Sequence, residues 1–264
     1  MLGVRPLGFF IPYRYAGSVG ARGYPALGPL FAAAEPRQRW ALDAIEAVAD
    51  DLLRIAGPPP APRFDQGWFP TLDGAAAYGL IRRLAPQRIV EVGSGHSTRF
   101  LARAIQDGGL GSRLTAIDPA PRAELAGLAV DWRRCLLDDV PPETFYALEP
   151  GDVLFVDSSH VLMPGTDLDR LLNDVMPRLP AGVLVHLHDI LLPDAYPADW
   201  AWRGYNEQQA VAPLLWTGAF EIVFASHFVR SRRPAWLERS IVARLPRAPD
   251  APPTSLWLRK AAKS

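Results

Sequence analysis

Apolar residues return at helical spacing between Arg37 and Ile55, at Trp40, Ile45, Val48, Leu52 and Ile55, and this predicts an amphipathic helix. Gly57-Pro58-Pro59-Pro60-Ala61-Pro62 stops it and reads as a linker. A second helix is expected over Leu72–Leu84, ended by Ala85-Pro86. From there the pattern alternates. Short apolar, β-branched runs predict strands at Arg88–Val92, Leu114–Asp118, Val130–Cys135, Asp152–Asp157, Gly182–Asp189, Phe220–Ser226 and Thr254–Arg259. Helical patterns fall between them at Ser97–Gln106, Asp167–Leu179 and Asn206–Trp216. Residues 1–35, rich in Gly, Pro and aromatics, show no period and read as an irregular arm or cap.

Continuous apolar strands alternating with helices are the pattern of a sheet buried on both faces. The expectation is an α/β chain: a Rossmann-like, seven-stranded, mostly parallel sheet with helices on both faces and an N-terminal helical and irregular extension. The expected division is residues 1–62 for the extension and linker and residues 63–264 for the α/β domain. Such sheets bind ligands where loops converge at the carboxyl ends of the strands. Glu91, Asp118, Asp157, His188 and Asp189 all fall at or just past predicted strand ends.

Composition narrows the partners. Twenty-eight basic residues balance 28 acidic ones, so a broadly basic nucleic-acid surface is not expected. No run reaches the roughly 18–20 apolar residues a membrane helix needs, and the N-terminal apolar stretch is broken by Arg5, Pro6, Pro12 and Arg14. The single cysteine, Cys135, excludes an internal disulfide framework and fits a reducing compartment. The expectation is a cytoplasmic protein with a small-molecule substrate, no nucleic-acid or membrane partner, and a homo-oligomer left open.

The chemistry begins at Glu91-Val92-Gly93-Ser94-Gly95, a strand followed by a glycine turn and a helix start. Glycines there allow a tight turn and close approach of a ligand to the backbone. A dinucleotide fingerprint would carry Gly or Ala where Thr98 stands, and Glu91 would repel a pyrophosphate. The same carboxylate suits an ammonium group, directly or through water. The helix start at Ser97 and Thr98 suits a carboxylate, and Asp118 at the next strand end suits a ribose diol. Asp138 and Asp139 precede the fourth strand and read equally as a solvated turn or as a further cofactor contact.

Arg88-Ile-Val-Glu-Val-Gly-Ser-Gly-His-Ser-Thr98 resembles motif I of class I S-adenosylmethionine (SAM)-dependent methyltransferases. Asp152-Val-Leu-Phe-Val-Asp-Ser-Ser-His160, His186-Leu-His-Asp-Ile190 and Tyr205-Asn-Glu-Gln208 are similar to a bacterial branch containing macrocin-type sugar O-methyltransferases and proteins labelled cephalosporin hydroxylase. The likeness spans roughly Phe64 to Ser226. It implies SAM as cofactor, held by Glu91, Gly93, Ser94, Gly95, Ser97, Asp118 and Asp139, and methyl transfer to a small-molecule hydroxyl.

The resemblance also implies a divalent ion, usually magnesium, at Asp157, His188 and Asp189. His188 stands where that branch carries an acid, and imidazole suits transition metals better than magnesium. Magnesium on the two carboxylates, a transition metal with His188 and His160, and no metal at all remain three open readings. A hydroxyl acceptor needs its proton removed. His160 is the first candidate base and His188 the second, with Asp157 beside them, since Ser159 stands where relatives place a carboxylate base. Tyr196, Trp200, Trp202 and Tyr205 offer an acceptor pocket, and Phe9, Phe10, Tyr13 and Tyr15 either add to it or pack elsewhere. Two rivals stay in view: an NAD-dependent oxidoreductase, and a methyltransferase-like binding or scaffold module without catalysis.

Overall fold

The computed structural model describes residues 8–9 and 11–262. The first residues of the arm and Phe10 therefore lie outside the described residues. Seven strands form one sheet in the order β3-β2-β1-β4-β5-β7-β6. They are β1 (Arg88–Val92), β2 (Arg113–Ile117), β3 (Asp131–Arg133), β4 (Val153–Val156), β5 (Leu184–Leu187), β6 (Phe220–Ala225) and β7 (Leu256–Lys260). The first five run parallel, and β7 runs antiparallel to both of its neighbours. The Rossmann-like, mostly parallel sheet expected from the sequence is present.

The period of two along each strand divides the core. Val90, Val92, Leu154, Val156, Val185 and Leu187 face one apolar layer. Ile89, Val153, Phe155, Leu184 and Trp257 face the other. Every residue of β4 and of β5 is buried, which is why their sequences read as apolar runs broken only by His186. His186 takes the place of an apolar residue on the second face. It stacks on Phe155 at 3.7 Å between ring centroids, and its Nε2 meets Ser255 Oγ at 2.9 Å. Burial and the neighbouring His188 hold its pKa well below the imidazole range, so it is a neutral core histidine.

Four helices position the site: α1 (Glu35–Glu46), α2 (Thr71–Leu84), α3 (His96–Gly108) and α4 (Glu207–Trp216). Helix α2 lies against α1 and α3 on the second face. The single helix expected over Arg37–Ile55 is interrupted, because Val48 leaves the helical basin (φ −118°, ψ 23°) before Ala49–Leu53 resumes it. The arm is not irregular throughout. Gly28–Ala33 is helical, and Leu27 and Phe31 enter the first apolar layer, Phe31 against Phe228 at 5.4 Å. Tyr24 N–H donates to Pro193 O at 2.7 Å, which ties the arm to the loop after β5. No helix among the described residues is long and apolar enough to cross a membrane.

Chain order reverses between β1 and β4: β2 and β3 extend from one side of β1, and β4 and β5 continue on the other. The crevice at the carboxyl ends of β1 and β4 is where ligands bind in open parallel sheets. Val92 and Val156 are register partners there, so the turn after β1 and the residue after β4 must touch.

Candidate active site

Gly93 and Gly95 turn the chain from β1 into α3. Gly93 has φ +77°, and a Cβ on it would lie 1.8 Å from Asp157 O, so only glycine fits both the conformation and the contact. Gly95 N–H donates to Thr98 Oγ1 at 2.9 Å, closing the start of the helix. Ser94 N–H and Oγ both bond Asp118 Oδ2, at 2.7 and 3.1 Å, and Ala120 N–H donates to Asp118 Oδ1. Asp118 thus fastens the turn to the end of β2. Behind the turn Ser97 Oγ donates to Glu91 Oε1 at 2.6 Å.

Glu91 is fully buried, its Oε2 has no hydrogen-bond partner, and it forms no salt bridge among the described residues. Burial pushes its carboxyl up to about 8, against the opposing bonds from Ser97 and Thr98. A cation held nearby would favour its charged form. His96, within the same turn, is pushed down to about 4 by burial and the nearby Arg99 and Arg63, so its ring is neutral.

A cavity of about 500 Å³ opens above the turn. Gly93, Ser94, Gly95, Asp118, Asp157, His160, His188 and Asp189 line it. Glu91 and Ser97 sit one layer behind, both buried. On the turn Leu137–Asp139, Leu137 and Asp138 face the cavity, and Asp139 is not among the lining residues. Half-buried Cys135 lines the same side, and Trp68, with Arg122 stacked 4.4 Å from its ring centroid, closes another edge.

At the far end the strand-end residues meet in one cluster. His160 Nε2 is 3.4 Å from Asp157 Oδ1 and 3.5 Å from Asp189 Oδ2, and His188 Nδ1 is 3.3 Å from Asp157 Oδ1 and 3.6 Å from Asp189 Oδ1. Both His160 (φ +59°) and Asp189 (φ +53°) adopt left-handed backbone, a conformation uncommon outside glycine and often found at functional sites. Three partners come from elsewhere in the chain. Fully buried Glu207, the first residue of α4, meets His160 Nδ1 at 2.9 Å. Fully buried Asp73 of α2 lies 3.5 Å from His188 Nε2 and accepts from Thr254 and Ser255 N–H. Thr254 Oγ1 donates to Asp189 Oδ1 at 3.1 Å.

Burial alone would depress both histidines, but Asp157 and Glu207 around His160, and Asp157 and Asp189 around His188, outweigh it and raise both well above the imidazole range. Burial likewise opposes ionisation of Asp157, yet the two imidazoles hold it well below the carboxylate range. Burial pushes Glu207 up against its bond to His160, so the two share a tightly held proton. At neutral pH the cluster is a set of imidazolium–carboxylate pairs.

The make-up of the cluster bears on the metal expected at Asp157, His188 and Asp189. Among the described residues no group of three or more His, Cys, Asp or Glu side chains is placed to hold an ion. Two imidazoles stand among the two carboxylates, so nitrogen makes up half of the near donors. The donor set does not fit magnesium, which prefers oxygen ligands. No step of the chemistry proposed for this chain passes through an ion.

Asn206-Glu207-Gln208 reads in the sequence as a helix cap or a substrate clamp. The side chain of Asn206 makes no cap bond to α4. It accepts from Leu162 N–H at 2.6 Å and donates to Leu162 O, while Gln208 accepts from Leu191 N–H and donates to Asp194 O. The block pins the loops after β4 and β5, and Glu207 reaches His160 between them. Asp73 and Thr254 join the cluster without being singled out in the sequence, where Glu207 is marked only as part of its block. Asp73, a lone acid in the small, apolar stretch Leu72–Leu84, is the one visible signal.

Residues 90–190 match a family model described as a methyltransferase domain. This is the enzyme class expected from the glycine turn and its neighbours, a SAM-dependent methyltransferase. No curated protein matches the chain. Among solved structures, the chain is similar to an SAH-bound methyltransferase of Podospora anserina, at 15% identity and TM-score 0.43, covering 97% of this chain and 100% of that one. It is also similar to an O-methyltransferase of Streptomyces achromogenes involved in tomaymycin synthesis, in complex with SAM, at 19% identity and TM-score 0.42, covering 84% and 90%. A third is an O-methyltransferase of Bacillus cereus in complex with SAH, at 13% identity and TM-score 0.41, covering 84% and 90%. Within the domain, the matched segment runs from β1 to just past β5 and includes the glycine turn, Asp118, Asp157, His160, His188 and Asp189.

Proposed function

We propose that this methyltransferase moves the methyl group of SAM to a hydroxyl of a small molecule, and that it belongs with the bacterial branch of macrocin-type sugar O-methyltransferases. One observation carries the reading: a buried carboxylate with a free oxygen, Glu91 Oε2, lies behind a glycine turn whose cavity ends in the His160–Asp157–Asp189 cluster. The turn's geometry leaves bare backbone toward the cavity, Asp118 reaches it from β2, and Glu91 with Ser97 supplies a receiving group for an ammonium, through water or the Ser97 hydroxyl. Residues 63–264 would form the catalytic unit, since every lining residue falls within them, and residues 1–62 its extension.

SAM supplies an electrophilic methyl on a sulfonium sulfur when bound. Transfer breaks the sulfur–carbon bond, forms a carbon–oxygen bond and frees the hydroxyl proton, so the chain must position the hydroxyl and take that proton. In this reading His160 is the base. Its Nδ1 is committed to Glu207, leaving Nε2 for the acceptor, with Asp157 and Asp189 balancing the imidazolium that forms. His188, held from behind by Asp73 and Thr254, orients Asp157. Because His160 retains its proton above the ordinary imidazole range, the neutral, proton-accepting ring gains population as pH rises, and kcat should rise with it.

Calorimetry of the full chain with SAM, SAH and NAD tests the reading: binding of SAM and SAH without NAD is expected, and NAD binding alone would sink it. Glu91→Gln should weaken SAH binding about ten- to a hundredfold, as expected for loss of roughly 1.5–3 kcal/mol from a hydrogen bond to a charged group. Unchanged affinity would remove Glu91 from the cofactor site. Treatment with EDTA followed by gel filtration should leave turnover intact, and activity restored only by added magnesium would overturn the metal-free cluster.

A further inference from the structure

One cation faces the acceptor end of the cavity with its hydrogen-bonding capacity unspent. Arg203 closes the short helical turn Ala198–Arg203, and Gly204 (φ +67°) redirects the chain behind it. Its guanidinium lies 4.0 Å over the ring of Trp200, with Tyr205 at 5.4 Å, so the aromatics fix its plane. Among the described residues it donates no hydrogen bond. Its Nε is buried without a partner, and the approach to Asp189 Oδ2, at 3.8 Å, is too long for one. Asp189 is already engaged by Thr254 Oγ1 and faces both imidazoles. A buried guanidinium donor left without an acceptor costs free energy unless a ligand satisfies it.

We propose that Arg203 receives a carboxylate of the acceptor, which makes the substrate a hydroxylated carboxylic acid; this rests on the methyltransferase reading. The planar fork of Arg matches a carboxylate at two points, where a neutral hydroxyl or a sugar ring would use at most one. The position agrees with the chemistry. Arg203 Nη1 and His160 Nε2 approach the same oxygen, Asp189 Oδ2, at 3.8 and 3.5 Å, so an acid held by one presents a nearby hydroxyl to the other. The rest of the acceptor has room beyond Trp200, which together with Pro70 and Pro252 also walls a second cavity of about 1090 Å³.

The test is calorimetry on the full chain preloaded with SAH, using the 2-, 3- and 4-hydroxybenzoates and their carboxamides as probes. The wild type should bind at least one acid tenfold or more tightly than its amide. Arg203→Gln should abolish that difference while SAH affinity and melting temperature stay unchanged, and Arg203→Lys should retain part of it. No preference for any acid over its amide, or a preference that survives Arg203→Gln, would overturn the proposal. So would a loss of SAH affinity in Arg203→Gln, which would give the guanidinium to the cofactor. Failure of the wild type to bind SAH at all would instead strike the methyltransferase reading itself.

Discussion

Gly93→Ala is expected to abolish SAH binding and lower the melting temperature sharply. Two independent penalties meet at this position. Left-handed backbone at a non-glycine residue costs about 1–3 kcal/mol. The added methyl would also sit 1.8 Å from Asp157 O, a main-chain atom that cannot rotate aside. Forcing the turn away from β4 adds about 1–3 kcal/mol of overpacking and moves Asp157 with it. Gly95 (φ +159°) is also strained for an L side chain, but its Cβ would find nothing closer than 3.5 Å, so Gly95→Ala separates the backbone penalty from the clash. Gly95→Ala should keep the fold and lose affinity only in part. Paired thermal melts and SAH titrations decide the matter: a Gly93→Ala variant with near-normal affinity would show that the turn is not where the cofactor lies.

Glu207→Gln should lower kcat by about a hundredfold with little change in KM, the scale at which a general base contributes. The amide keeps the shape and one hydrogen bond to His160 Nδ1 but removes the charge. With that charge gone His160 releases its proton more readily, so the pH at which kcat rises should move down. Loss of a merely structural residue would lower the plateau without moving the profile. Stability shifts in the same sense. His160 and His188 are raised in the folded chain above 6.5, so their contribution is complete below that pH and drains away as pH climbs through the folded values. Glu207→Gln should shrink the part of that alkaline loss that belongs to His160. A kcat–pH curve superimposable on wild type after scaling would refute the role given to Glu207.

How much of the fold and site is legible in the chain depends on what kind of signal each residue leaves. Arg88–Val92 and Asp152–Asp157 announce themselves because a strand buried on both faces can hold little except apolar residues, and a strand-end acid then stands out. The glycine turn is visible for the same reason. Its tightness at Gly93 is not, since the clash involves Asp157, 64 positions on. Asp73 and Thr254 carry no local mark of function, and the block around Glu207 does not announce its tie to His160; all three become partners only when α2, α4 and the approach to β7 pack over the strand ends. Asn206-Glu207-Gln208 looks like a cap because Asn at a helix start usually is one, and long-range loop contacts outcompete the local bond. The break at Val48 is hidden by an apolar pattern that continues across it in register.

The placement of β7 carries a consequence for how the protein is made. β5 and β6 share no hydrogen bonds; each waits for a strand that is translated after both and must be threaded between them. Until it arrives both present unpaired amide edges, and Thr254, just upstream of β7, has not reached Asp189. A chain still emerging from the ribosome can assemble the half of the sheet around β1 but not the Thr254 contact that braces Asp189, so the site is completed in a late, non-local step of folding.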